Sequence, residues 1–187
     1  MKKMIVAIVL MLTMVVGLNA QGFGWGIKGG ISSSSLSIEG FPASTEAKSG
    51  AVAGAFLVFD VIFLDIQVDA LYAQKGSKID GEEFTLNYLS IPAVAKFHFL
   101  PVISPYIGAG LEYSYLLGVE APFGISTDDF ETSDMGAIIA AGVDFTLVAV
   151  DLYVDVRYVF SLSNIAKDSP GIELKNNSTQ FTVGVSF

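Results

Sequence analysis

From about residue 22 onward, apolar and polar positions alternate one by one along most of the chain. In VDLYVDVRYVF, residues 150–160, one face carries Val150, Leu152, Val154, Val156, Tyr158 and Phe160, and the other Asp151, Tyr153, Asp155, Arg157 and Val159. IFLDIQVDALY (62–72) sets Ile62, Leu64, Ile66, Val68 and Tyr72 against Asp65, Gln67 and Asp69. LSIPAVAKFHF (89–99) and PYIGAGLEYSY (105–115) repeat the pattern, with Lys96, His98, Gly108, Gly110 and Glu112 on their polar sides. A period of two marks β-strands with unlike faces, and no stretch after residue 20 has helical spacing. The runs predict eight strands, near 22–32, 49–60, 62–75, 85–99, 104–118, 134–146, 149–162 and 177–187. Connections near 33–48, 76–84, 119–133 and 163–176 are long and polar, whereas those near 61, 100–103 and 147–148 are very short. An even strand number with alternating long and short connections predicts an all-β, eight-stranded antiparallel up-and-down transmembrane β-barrel. Its long loops would be extracellular, and its tight turns and both termini periplasmic.

Side-chain size decides which face meets lipid. The minority face holds Gly24, Gly26, Gly30, Gly108, Gly110, Gly136, Gly142 and Gly184 beside isolated charges, while large aliphatic and aromatic groups fill the other. Small or ionised groups inside and bulky ones outside fit a barrel solvated by lipid, which must close because lipid satisfies no open strand edge. Aromatic residues near strand ends (Phe23, Trp25, Tyr72, Phe97, Phe99, Tyr113, Tyr115, Tyr158 and Phe160) match interfacial girdles. A soluble periplasmic ligand-binding barrel of the lipocalin type is the rival architecture, and it would carry far more surface charge.

Composition agrees: 52% of residues are hydrophobic and only 16% charged. Two of the ten Lys/Arg residues are Lys2 and Lys3, so eight bases face nineteen acids in the rest of the chain. That balance excludes a nucleic-acid partner. Lys2, Lys3, the apolar run Ile5–Val16 and Leu18-Asn19-Ala20 predict a signal peptide over 1–20 and a barrel domain over 21–187. A single membrane anchor is the alternative, but the run is short and lacks a following basic stop. The chain has no cysteine, which excludes disulfides, thiol chemistry and a lipidated N-terminus. Its last strand places Phe181, Val183, Val185 and Phe187 on the apolar face. A terminal aromatic after alternating apolar positions resembles the signal read by the barrel-insertion machinery, the first expected partner beside lipid and lipopolysaccharide.

ALYAQKGSK (70–78), LNYLSIPAVAKFHF (86–99), PYIGAGLEYSYLLG (105–118) and VDVRYVFSLSNI (154–165) together resemble the PorT-like outer-membrane β-barrel family. Tyr-x-Gln-Lys-Gly and Asn-Tyr-Leu-x-Ile-Pro are the most recognisable pieces, and Asp69 stands where the family pattern has glutamate. The resemblance implies an eight-stranded bacterial outer-membrane barrel, with a founding member associated with a protein secretion apparatus.

Candidate chemistry is sparse. Gly24-Trp25-Gly26-Ile27-Lys28-Gly29 spells G-x-G-x-x-G, but a dinucleotide loop needs a strand before it and a helix after it, and ISSSS follows. The glycines read instead as inward gaps. His98, the only histidine, falls on the inner face near a short turn, where a structural role is expected rather than catalysis. One histidine without cysteine also argues against a transition-metal site. Asp128, Asp129, Glu131 and Asp134 make an acidic segment without the EF-hand order, which reads as a solvated extracellular loop, with weak ion bridging to lipopolysaccharide as the alternative. No catalytic, cofactor or metal residue is therefore assigned. The informative set faces inward: Lys28, Asp69, Glu112, Asp155 and Arg157 near mid-height, with Asp65, Lys96, His98, Asp144 and Asp151 nearer the periplasmic end. An unpaired buried ion costs several kcal/mol. Lys28 and Arg157 are therefore expected to bridge Asp69, Glu112 and Asp155, plugging the lumen against a narrow diffusion channel. The three bases cannot match the six acids, so some acids should remain hydrated or protonated at the mouth. The function expected is structural or interaction-based, through a protein partner at the extracellular loops, as an accessory to secretion and without enzymatic activity.

Overall fold

The alternating runs form eight antiparallel strands: β1 (Phe23–Glu39), β2 (Thr45–Val61), β3 (Leu64–Ile79), β4 (Glu82–His98), β5 (Ile103–Glu120), β6 (Ser133–Thr146), β7 (Asp151–Ser161) and β8 (Glu173–Ser186). The structure is a computed structural model describing residues 22–39, 45–61, 64–79, 82–100, 103–120, 130–147, 150–165 and 173–187; the expected signal peptide and Asp128 and Asp129 lie outside these. Each strand pairs with its neighbour in sequence, and β1 pairs with β8, closing the sheet. At the seam Phe187 N donates to Trp25 O (2.9 Å) and Trp25 N to Phe187 O (3.4 Å).

The closure is staggered. Stepping between paired residues from Gly24 through Val58, Gln67, Val94, Gly110, Ile138, Val159 and Ser178 returns to β1 at Ser34, ten residues further along. Such a shear tilts the strands by roughly 40° and leaves an interior that side chains just fill. One end of the barrel carries the start of β1, the end of β8 and the short connections (the turn end), and the other is the loop end.

Burial follows the two-residue period. Trp25, Ile27, Leu111, Ile139 and Val183 are each about half exposed on the outer wall, while Lys28, Asp69, Glu112, Asp155 and Arg157 are buried inside. An outer wall of large apolar groups around a charged interior is the reverse of a soluble barrel. Aromatic pairs ring the turn end, with Phe23 5.3 Å from Phe59 and Trp25 5.2 Å from Phe187; Tyr158 and Phe160, 4.4 Å apart, lie towards the loop end.

The strands outrun the alternation that revealed them. Segments expected as loops continue the ladder: the serine run extends β1 to Glu39, β3 and β4 approach within a two-residue gap, and β8 starts at Glu173. Backbone pairing persists beyond the lipid, where the outer face no longer has to be apolar, so the pattern ends before the strand does. The β2–β3 register breaks between Ala47 and Val52. Inward serines of β1 meet the β3 backbone there. Ser32 Oγ donates to Gln74 O (2.6 Å), and Ser34 Oγ donates to Gly76 O (3.0 Å) while accepting from Gly76 N (2.8 Å). Gly76 itself has φ 144°, which favours glycine. At the low side of the rim, the chain after β7 turns inward and buries Ile165 against Leu86, Tyr88 and Leu116, beside Phe130. Glu131 N holds it by donating to Ile165 O (3.0 Å).

The wall predicts a depth-dependent cost. Val156, outward at the level of the central charges, should lose about 2–4 kcal/mol on Val156→Arg, whereas Leu162→Arg near the loop-end rim should lose under about 1 kcal/mol. Reversible urea unfolding in lipid vesicles measures both, and equal costs would contradict the assigned depth.

Candidate functional site

The lumen holds its charges in layers. At mid-height, β1 supplies Lys28, β3 supplies Asp69, and β7 supplies Asp155 and Arg157. Lys28 Nζ lies 3.2 Å from Asp69 Oδ2 and 3.3 Å from Asp155 Oδ2, and Arg157 reaches the same oxygens at 2.6 Å through Nη1 and 3.1 Å through Nη2. Each carboxylate thus lies between two cations, and the quartet is neutral. Remaining acceptor sites are filled: Gln67 Nε2 donates to Asp69 Oδ1 (2.5 Å), Thr182 Oγ1 to Asp155 Oδ1 (2.6 Å) and Tyr106 OH to Asp155 Oδ2 (3.1 Å). All four side chains are at most 2% exposed. Burial of that degree is tolerable only when ion pairing is backed by further hydrogen bonds, as it is here.

Glu112 does not join the quartet. It pairs with Lys75 (2.6 Å), accepts from Ser114 Oγ (3.0 Å) and belongs to a separate group nearer the loop end, where Ser90 and Ser114 share a 2.7 Å hydrogen bond. Lys75, whose ammonium also lies 5.3 Å from the Tyr88 ring, was missing from the expected set. It lies beyond Tyr72, the last outward apolar residue used to define that strand. The parity of Asp65, Gln67 and Asp69, carried on through Leu71 and Ala73, reaches it. Asp134 also departs from expectation: it is no loop ligand but a buried β6 residue accepting from Ser161 Oγ (2.9 Å), while Glu131 is exposed.

Towards the turn end, Lys96 Nζ lies 4.2 Å from the Tyr106 ring centroid and 4.7 Å from that of Tyr153, with Asp144 Oδ2 at 3.8 Å. His98 stands between two carboxylates, with Nδ1 3.1 Å from Asp65 Oδ2 and Nε2 2.9 Å from Asp144 Oδ2. Asp151 is half-buried at the same mouth.

The interior is not confined to small and ionised groups. Phe56, Tyr88, Tyr106 and Tyr153 are buried in it, and glycines supply their room. A Cβ on Gly26 would lie 2.5 Å from the Phe56 ring, and one on Gly142 2.7 Å from the Tyr106 ring. Gly26 and Lys28 sit within β1 with no helix following, which removes the geometry a dinucleotide loop requires. On the outer face Phe181, Val183 and Phe187 are exposed and Val185 partly so.

In fold the chain is similar to Neisserial surface protein A, with a TM-score of 0.60 and 22% identity, covering 90% of this chain and 97% of that one. It is also similar to Ail, the attachment invasion locus protein of Yersinia pestis, with a TM-score of 0.51 and 17% identity, covering 90% of this chain and all of that one. The family described as outer membrane protein beta-barrel domain matches residues 19–167. No curated protein matches the sequence.

The quartet predicts strong coupling. Arg157→Met leaves Asp69 and Asp155 with one cation between them and should cost about 3–5 kcal/mol. Adding Asp69→Asn restores neutrality, so the double variant should be more stable than the two single losses sum to, by at least about 1 kcal/mol. Urea unfolding of the four proteins in lipid vesicles gives the cycle, and additive losses would show that the charges do not act together.

Proposed function

The chain belongs to the outer membrane protein beta-barrel domain family, and from that premise we propose that it is a sealed, non-catalytic barrel that acts through its loop end. The observation carrying this reading is the buried quartet of Lys28, Asp69, Asp155 and Arg157, which ties β7, β1 and β3 together across the lumen. Above it the Lys75–Glu112 group and the cluster around Ile165 add two further obstructions. An ion crossing this path would have to separate buried pairs, which disfavours a diffusion channel. Absence of catalysis is supported by His98, both of whose ring nitrogens face carboxylates, leaving neither to activate a hydroxyl.

A closed lumen leaves two working surfaces, the lipid-facing wall and the loop end. We read the loop end as extracellular and the turn end, with both termini, as periplasmic, in keeping with the short-turn rule of outer-membrane barrels. Lipopolysaccharide and a protein partner are the contacts proposed for the loops. Phe181, Val183, Val185 and Phe187, all on the outer face of β8, are the proposed contact for the insertion machinery. The resemblance of residues 70–78 and 86–99 to PorT-like barrels supports an accessory part in protein secretion.

Two measurements test the reading. In planar bilayers the purified protein should show no steady conductance, and a stable ohmic channel would make the pore reading the better one. Orientation is accessible because the chain has no cysteine. Lys78→Cys near the loop end should react with an impermeant maleimide on whole cells, while Leu100→Cys at the turn end should react only after lysis. The opposite pattern would invert the barrel.

A further inference from the structure

The turn-end mouth gathers more negative charge than its own cations neutralise. Asp65 on β3, Asp144 on β6 and His98 on β4 converge there. Asp60 is the direct cross-strand partner of Asp65, which brings a third carboxyl group to the same mouth. Asp151 adds a further carboxylate at the same mouth and acts on Asp60. Against these four acids stand one imidazole and Lys96, whose ammonium is turned onto the rings of Tyr106 and Tyr153.

Asp144 sharpens the imbalance. It is only 7% exposed, yet its Oδ1 has no hydrogen-bond partner. A buried carboxylate oxygen left without a donor is costly, and a cation within reach of it removes that cost.

We propose that Asp65, His98 and Asp144 form a site for a divalent transition ion of the Zn²⁺ or Mn²⁺ class, stapling β3, β4 and β6 at the turn-end mouth. One ring nitrogen and one oxygen from each aspartate already lie within 4.8 Å of one another. Bonds of about 2.1 Å place adjacent ligands roughly 3 Å apart and opposite ones roughly 4 Å apart, so the three arms have to draw in by side-chain rotation to hold an ion. The Nε2–Asp144 separation, 2.9 Å, is already that of adjacent ligands, while Asp65, 3.1 Å from Nδ1 on the other edge of the ring, must swing round to reach the same ion. An imidazole with two carboxylates selects a borderline transition ion, whereas Ca²⁺ favours six or more oxygens. The divalent charge offsets the carboxyl groups gathered at this mouth.

The test uses the full barrel, folded in detergent with any affinity tag removed, and titrated calorimetrically with ZnCl₂, MnCl₂ and CaCl₂. One saturable site preferring Zn²⁺ or Mn²⁺ to Ca²⁺ is expected. His98 is the only histidine, so its ring resonances are unambiguous, and Mn²⁺ should broaden them selectively. His98→Gln should weaken binding more than about 100-fold, while Asp134→Asn, at the other end of the lumen, should leave it unchanged. The unboiled gel shift reports whether each variant has folded, and the resonance experiment on the unaltered protein decides the matter without them. No saturable binding, equal preference for Ca²⁺, His98 resonances untouched by Mn²⁺, or full binding by folded His98→Gln would each overturn the proposal.

Discussion

Hydrocarbon gives a backbone amide nothing to bond with, and a strand that enters it must find partners on both sides. Everything else in this molecule answers to that condition. It obliges β1 to meet β8 through the Trp25–Phe187 exchange, and with eight strands it allows only a narrow tube. The narrow tube then dictates what the inner face can hold. Rings and long cations fit only if neighbouring positions are empty, and each ion must find its counter-ion within the same few ångströms. The outer face carries the opposite demand, for bulk without polarity, and the two-residue period lets one strand meet both.

The central quartet has a consequence for register. Burying ion pairs is often no better than burying apolar groups of the same shape, so its value to stability is not self-evident. In a strand, however, a slip by one residue moves every side chain to the other face. For β1 that slip would send Lys28 into lipid, and for β7 it would send both Asp155 and Arg157 there. The quartet therefore penalises wrong pairings far more than it rewards the right one. Because its members come from β7, β1 and β3, it spans the seam where the last strand must find the first.

Alternation alone made the architecture legible. Parity places Lys28, Asp69, Asp155 and Arg157 on the inner face before any contact is known, and it places Trp25, Leu111 and Phe181 outside. Partner choice was not legible in the same way. Lys28 and Glu112 are on strands four apart, and the stagger lifts Glu112 towards Lys75, out of reach of β1. Only the shear determines that offset, and no single strand encodes it. Strand ends were hidden for a related reason: above the lipid both faces are polar, so Lys75 and Asp134, the last and first residues of their predicted strands, have no alternation beyond them to mark their face. At the turn end the sequence places Asp65, His98 and Asp144 far apart, and only the register of three strands brings them to one point.

The rings inside the barrel are interlocked with its glycines. Phe56 fills the space that a side chain on Gly26 would need, and Tyr106 does the same above Gly142. Either member of such a couple is therefore a poor place for an isolated change, since a methyl group on one strand collides with a ring anchored on another. Shrinking the ring would not free the glycine, because a Cβ on Gly26 would also collide with Val185 O and one on Gly142 would lie 2.6 Å from Val154 O, so the backbone of a third strand holds each glycine in place. Gly26 and Phe56 are direct partners on adjacent strands, and Gly142 and Tyr106 are partners across a different pair, so the two couples lock separate parts of the wall.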